Sequence, residues 1–165
     1  SNLSTLDKLV LSEYLDLDEK NFMKPEMESF KAAFKGYHKL KEEGKITKDI
    51  LTIIDFTKSS TERRMWVIDM KNQTILHQTV VSHGRNSGKE YANDFSNTPE
   101  SFKSSLGFYA TAETYFGQHG LSLRLDGLEA GINSNARARD IVIHAADYAN
   151  ERMGKNQGYL GRSLG

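Results

Sequence analysis

The chain has 165 residues, 38% hydrophobic and 27% charged, the proportions of one globular domain with room for a small added segment. Its 22 basic and 22 acidic side chains cancel and are evenly spread, which argues against a nucleic-acid partner or a polybasic membrane patch. There is no cysteine, so disulfides, thiolate metal sites and a cysteine nucleophile are excluded among these residues. No stretch is long and apolar enough for a transmembrane helix. No signal-peptide pattern opens the chain, although a removed leader would leave no trace. Ser1-Asn2 reads as a cloning remnant.

The first quarter reads as helical. Ser4 and Asp7 have capping-box spacing, and Leu6, Leu9, Val10 and Tyr14 share one helical face. A second helix is expected from Pro25, a residue suited to a first helical turn, with Met27, Phe30, Phe34 and Tyr37 at three- and four-residue steps and Gly44 as the stop. Amphipathic stripes of this kind are usually core-facing, with a partner-binding helix as the alternative, so residues 1–48 are expected to form a helical segment packed on a main domain at residues 49–165.

From Ile50 the texture turns β-branched and aromatic. Strands are expected at Ile50–Phe56, Met65–Met70, Thr74–Ser82, Phe108–Thr111, Leu121–Leu125 and Ile141–His144, with Asp69–Gln73 as a hairpin turn. Gly84–Gly107 is a long polar connection, the kind more often functional than idle. Ala146–Met153 reads as a short helix. The fold class is α+β, mainly β.

Chemistry concentrates near the end. His144 closes a strand run, where rigid backbone aims the ring, as a proton acceptor, a packing residue or a metal ligand. Gly158, Gly161 and Gly165 allow a bend whose amides converge on an anion or a developing oxyanion, with Arg162 as a fixed charge; a flexible tail is the alternative. His83 ends another strand run, lining the same cleft or simply closing a strand-end hydrogen bond. Arg124 sits on the polar side of an alternating strand, either reading a carboxylate or solvated. Tyr109, Tyr115 and Phe116 are cleft walls or core, and Asn133 and Asn135 read as turn residues. His83, His119 and His144 lack ligand spacing, so no metal site is expected.

His144 followed by Gly161-Arg162-Ser163-Leu164-Gly165 resembles the His…Ser-x-Gly-Cys signature of the L,D-transpeptidase (YkuD-like) family, and in particular its murein L,D-transpeptidase branch, in which Gly-Arg-Ser-x-Gly precedes Cys-Pro. Leu51–Phe56, Ser82-His83-Gly84, Asn86-Ser87-Gly88, Phe95-Ser96-Asn97, Ser104–Tyr109, Gly120–Leu125 and Gly127-Leu128-Glu129 also resemble that branch, so the likeness covers most of Ile50–Gly165.

The resemblance implies a β-sandwich or barrel-like core with N-terminal helices, in an exported, periplasmic or cell-envelope protein acting on peptidoglycan stem peptides without a cofactor. It implies acyl transfer through a cysteine thioester, with His144 activating the thiol and Ser163 and Gly165 shaping the bend, while His83, Arg124 and Arg162 bind substrate. The expected nucleophile belongs directly after Gly165, where this sequence stops; the native polypeptide is expected to continue into it. An inactive peptidoglycan-binding module and an L,D-carboxypeptidase on the same scaffold are the alternatives. The sequence does not speak to oligomeric state.

Overall fold

The computed structural model describes residues 3–165; Ser1 and Asn2 lie outside the described residues. Elements follow in the order α1 (Thr5–Asp16), α2 (Met27–Glu42), β1 (Ile50–Ile54), β2 (Met65–Asp69), β3 (Thr74–Thr79), β4 (Tyr109–Gly117), β5 (Gly120–Gly127), β6 (Val142–His144) and α3 (Glu151–Gln157). The chain divides into two compact units, Ser1–Asp55 with Arg63–Thr79, and Phe56–Glu62 with Val80–Gly165. The expected boundary at 48/49 falls inside the first of these.

In the first unit, Ser4 caps α1 by accepting the Asp7 amide at 3.1 Å, as its spacing predicts. Helix α2 starts two residues after Pro25, which therefore lies outside its first turn: Glu26 is the N-cap, and the Pro25 carbonyl accepts the Tyr14 hydroxyl at 2.7 Å. At the other end the amides of Gly44 and Lys45 return to the carbonyls of Lys41 and Leu40, a Schellman closure. Strands β1, β2 and β3 form an antiparallel meander, and the β2–β3 turn is fixed by Asp69, whose Oδ1 accepts the amides of Lys71 and Asn72. The principal apolar core lies here. Phe30, Phe34, Ile53, Trp66, Ile68 and Ile75 are buried, and Tyr14, Phe30, Phe34 and Tyr37 form a chain of ring contacts 5.3–6.1 Å apart.

The second unit carries a second antiparallel meander, β4–β5–β6. Strand β4 runs to Gly117, well past the expected Thr111. The β4–β5 register shifts between Thr111 and Thr114, a bulge that lets the strand resume beyond its irregular pair. Helix α3 starts five residues later than expected because Asn150 caps it, accepting the Met153 amide at 2.8 Å. Each sheet retains two edge strands, and among the described residues neither closes into a barrel; the α+β, mainly β class stands.

Candidate active site

The C-terminal residues are tied down. Leu160 N–H donates to Ser60 Oγ at 3.0 Å, Gly161 N–H to Tyr148 O at 2.8 Å, and Ser82 Oγ–H to Gly161 O at 2.7 Å. Gly84 and Ser163 then form a parallel bridge, with Ser163 N–H on His83 O at 3.0 Å and Arg85 N–H on Ser163 O at 2.8 Å. Past it the chain bends. Gly165 N–H donates to Ser163 Oγ at 3.2 Å, the local turn a serine side chain can supply, and Gly165 takes φ +117°, disfavoured for residues with a side chain. Gly84 makes room for this: a Cβ there would lie 2.5 Å from Phe102 O and 3.0 Å from Gly165 Cα. A side chain at 84 must displace the 102–104 segment and presses on the bend.

His144 ends β6, paired with Ser122 of β5. Its Nδ1 lies 2.8 Å from Ala145 O. A carbonyl only accepts, so Nδ1 is the donor, and in the neutral ring the lone pair then lies on Nε2, the tautomer a general base needs. His119, from the Gly117–Gly120 turn, stacks on the ring with centroids 4.2 Å apart and planes 12° from parallel. That geometry sets the two rings' in-plane lone pairs side by side instead of converging on an ion. Among the described residues no three ligating side chains gather as a metal site requires. A pocket of about 430 Å³, lined by Gln118, His119, Ala145, Ala146 and Asp147, adjoins the stack.

Ser163, Gly165 and His83 are thus brought together, and Arg162 joins them by donating from Nη1 to Arg85 O at 3.2 Å. Among the described residues no hydrogen bond or ring contact links His144 directly to Ser163 or Gly165. His83 is only 1% exposed, its Nε2–H donating to Gly88 O at 2.9 Å and its ring edge against Phe56. It is packed inside the unit and does not present its ring on an open cleft. Arg124 is neutralised: it reaches Glu113 at 3.3 Å and Asp140 at 3.4 Å and lies over the Tyr115 ring. The β4 bulge places Glu113 beside it. Glu113 also meets Arg137, whose hydrogen bond is the main reason the carboxyl is held down to about 2. Phe116 is 85% exposed, so it is not core.

Sequence reading missed two organising residues. Arg139 donates to Ser96 O, Ser105 Oγ, Ser101 Oγ and Lys103 O at 2.6–3.1 Å, binding the long 84–107 connection from within. Its Nη2 is also 3.0 Å from where a Cβ on Gly165 would sit. Burial pulls its pKa down from the usual guanidinium value. Asn133, read as a turn residue, is fully buried; its Oδ1 accepts the Glu129 amide and its Nδ2 donates to the carbonyls of Leu106 and Phe108. Neither role has a local signature, because the partners lie 25–43 residues away, apart from Glu129.

The second unit thus carries a strand-end imidazole at His144 and a separate serine–glycine bend at Ser163–Gly165. The family model for the L,D-transpeptidase catalytic domain matches residues 22–165. The chain belongs to that family, cell-wall enzyme domains that act on peptidoglycan. Searches of curated proteins and of solved structures return no match. Among the described residues no helix is long and apolar enough to cross a membrane.

Proposed function

We propose that this chain is the scaffold of an exported L,D-transpeptidase that transfers an acyl group between peptidoglycan stem peptides through a cysteine thioester. The observation that carries the reading is the family match over residues 22–165, which takes in both the strand-end His144 and the Gly161–Gly165 bend. The 165 residues contain no cysteine. By the motif, the nucleophile is the residue that follows Gly165 in the native polypeptide.

In this mechanism Nε2 of His144 takes the thiol proton, and the thiolate attacks the carbonyl carbon preceding a terminal D-alanine. The carbon–nitrogen bond breaks, the D-alanine amine leaves with the proton held by His144, and a thioester remains. An amine of a neighbouring stem then attacks the thioester and regenerates the thiol. The tetrahedral oxyanion needs preorganised donors. Ser163 N–H is already given to His83 O and Gly165 N–H to Ser163 Oγ, which leaves the amides of Leu164 and of the residue after Gly165. Ser163 acts as the clamp of the bend.

Incubating the native polypeptide with a disaccharide tetrapeptide tests this. The expected products are cross-linked dimer and free D-alanine, with turnover lowered by about 100-fold or more in His144→Ala, the scale of a lost general base. Tripeptide without dimer would make the protein a carboxypeptidase, and binding without any product would make it a binding module.

A further inference from the structure

Several basic side chains in the second unit have an acid partner: Lys103 pairs with Asp94, Arg124 with Glu113 and Asp140, and Arg137 with Glu113 and Asp126. Three exposed cations beside the C-terminal bend do not. Arg85 and Arg162 flank the two residues of the Gly84–Ser163 bridge, on neighbouring chain segments joined by the Arg162 Nη1–H to Arg85 O bond. Lys89 comes to the same place through an aromatic ring: its Nζ lies 4.8 Å from the centroid of Tyr159, and the Arg162 guanidinium carbon is 5.8 Å from that centroid. Arg85 rests over the ring of Phe102 at 4.2 Å. Among the described residues none of the three forms an ion pair. Glu90, next to Lys89, is turned away to accept the Ser59 hydroxyl at 2.8 Å.

Three cations beside one bend, none with an acid partner, in a protein whose net charge is zero, offer an anionic ligand charge-assisted bonds that no side chain already takes. The rings hold the head groups in place without neutralising them. Guanidinium groups on rigid supports suit the two oxygens of a carboxylate better than a hydrated ammonium does.

We infer that Arg85, Lys89 and Arg162 form a carboxylate-binding site, which holds an acidic group of the stem peptide while the Ser163–Gly165 bend faces its scissile bond. The inference rests on the acyl-transfer reading for the identity of the ligand. It adds Arg85 and Lys89 to that reading as residues that recognise substrate charge. The carboxylate is that of the terminal D-alanine or of an acidic residue within the stem.

The test is calorimetric titration of the 165-residue protein with a disaccharide tetrapeptide, as the free acid and as its C-terminal amide. The site predicts that Arg85→Gln and Lys89→Gln each weaken binding of the free acid about tenfold, the scale of one charge-assisted bond. Raised salt should weaken the native protein and leave the double variant almost unaffected. Arg85→Lys should recover only part of the loss, since it keeps the charge without the fork. All three side chains are exposed, so melting temperatures should stay unchanged, separating lost binding from lost fold. If the amide binds the native protein as weakly as the acid binds the variants, the terminal carboxylate is the one held. If the amide binds like the acid and the variants weaken both, an internal carboxylate is held. Unchanged affinity in the double variant overturns the site and leaves the acyl-transfer reading standing. A native protein that binds neither peptide overturns that reading and the inference with it.

Discussion

The two units of this chain are held together by different chemistry. In the first, the core cluster is hydrocarbon and aromatic, from Val10 and Phe30 to Trp66 and Ile75, with Asp55 and Arg64 buried as well. In the second, the buried hydrophobic residues among those described are Ala92, Ala136 and Leu160, whereas Ser59, Ser60, His83, Ser87, Ser105, Ser122 and Asn133 are buried polar. Apolar burial is non-directional and tolerates small displacements of its parts. Buried hydrogen bonds fix angles as well as distances, and each one left unmade carries a desolvation penalty. A site built from a bend, a long connection and a strand end needs the second kind of order. The bend at Ser163–Gly165 and His144 both belong to the polar unit.

The sharpest way to break this contrast is to truncate one residue of each kind. Phe30 is completely buried among rings, so Phe30→Ala should lower stability by about 3–5 kcal/mol, read as the midpoint shift in denaturant unfolding. An effect below about 1 kcal/mol would mean that the aromatic cluster is not what holds the first unit. Asn133→Ala leaves the Glu129 amide and the carbonyls of Leu106 and Phe108 without their partner. It should cost about 2–3 kcal/mol, and faster amide exchange at Glu129 should accompany it. Unchanged exchange there would remove Asn133 from its organising role.

Arg139→Gln comes next, at about 1–2 kcal/mol, because the serine hydroxyls and carbonyls it binds can partly turn to water. Its larger signature should be local, a loss of amide protection over residues 96–105; uniform protection would contradict the network. The smallest effect belongs to Asp7. Hydrogen bonding to Lys35 and Ser4 brings its carboxyl down from 3.8 to about 2. A depressed carboxylate stabilises the fold above its unfolded pKa and loses that contribution as pH falls through its folded one. The melting-temperature difference between native protein and Asp7→Asn should therefore hold at neutral pH, shrink between about pH 4 and pH 2, and weaken in salt. A difference independent of pH would trace it to something other than charge.

The first unit was largely legible in sequence because its rules are local. The cap at Ser4, the stop at Gly44 and the two-residue alternation of β2 are written within a few positions. Pro25 misled by two positions, since it also suits the residue before an N-cap. In the second unit the Gly161–Gly165 bend was readable as a motif, whereas its surroundings were not. Arg139 and Asn133 take most of their meaning from distant partners, the pairing of Arg124 with Glu113 follows from a bulge, and the His119–His144 stack follows from the β5–β6 register. His83 shows the limit of a strand-end histidine as a signal: it and His144 end similar runs, yet one is sealed and the other is partly exposed.

Treating the native polypeptide with a thiol-reactive probe and locating the adduct by mass spectrometry puts the acyl-transfer account at most direct risk. The account predicts fast modification at the residue following Gly165, slowed severalfold by His144→Ala and by Gly84→Ala, which pushes on the bend. No thiol at that position, or labelling indifferent to residue 144, would contradict it.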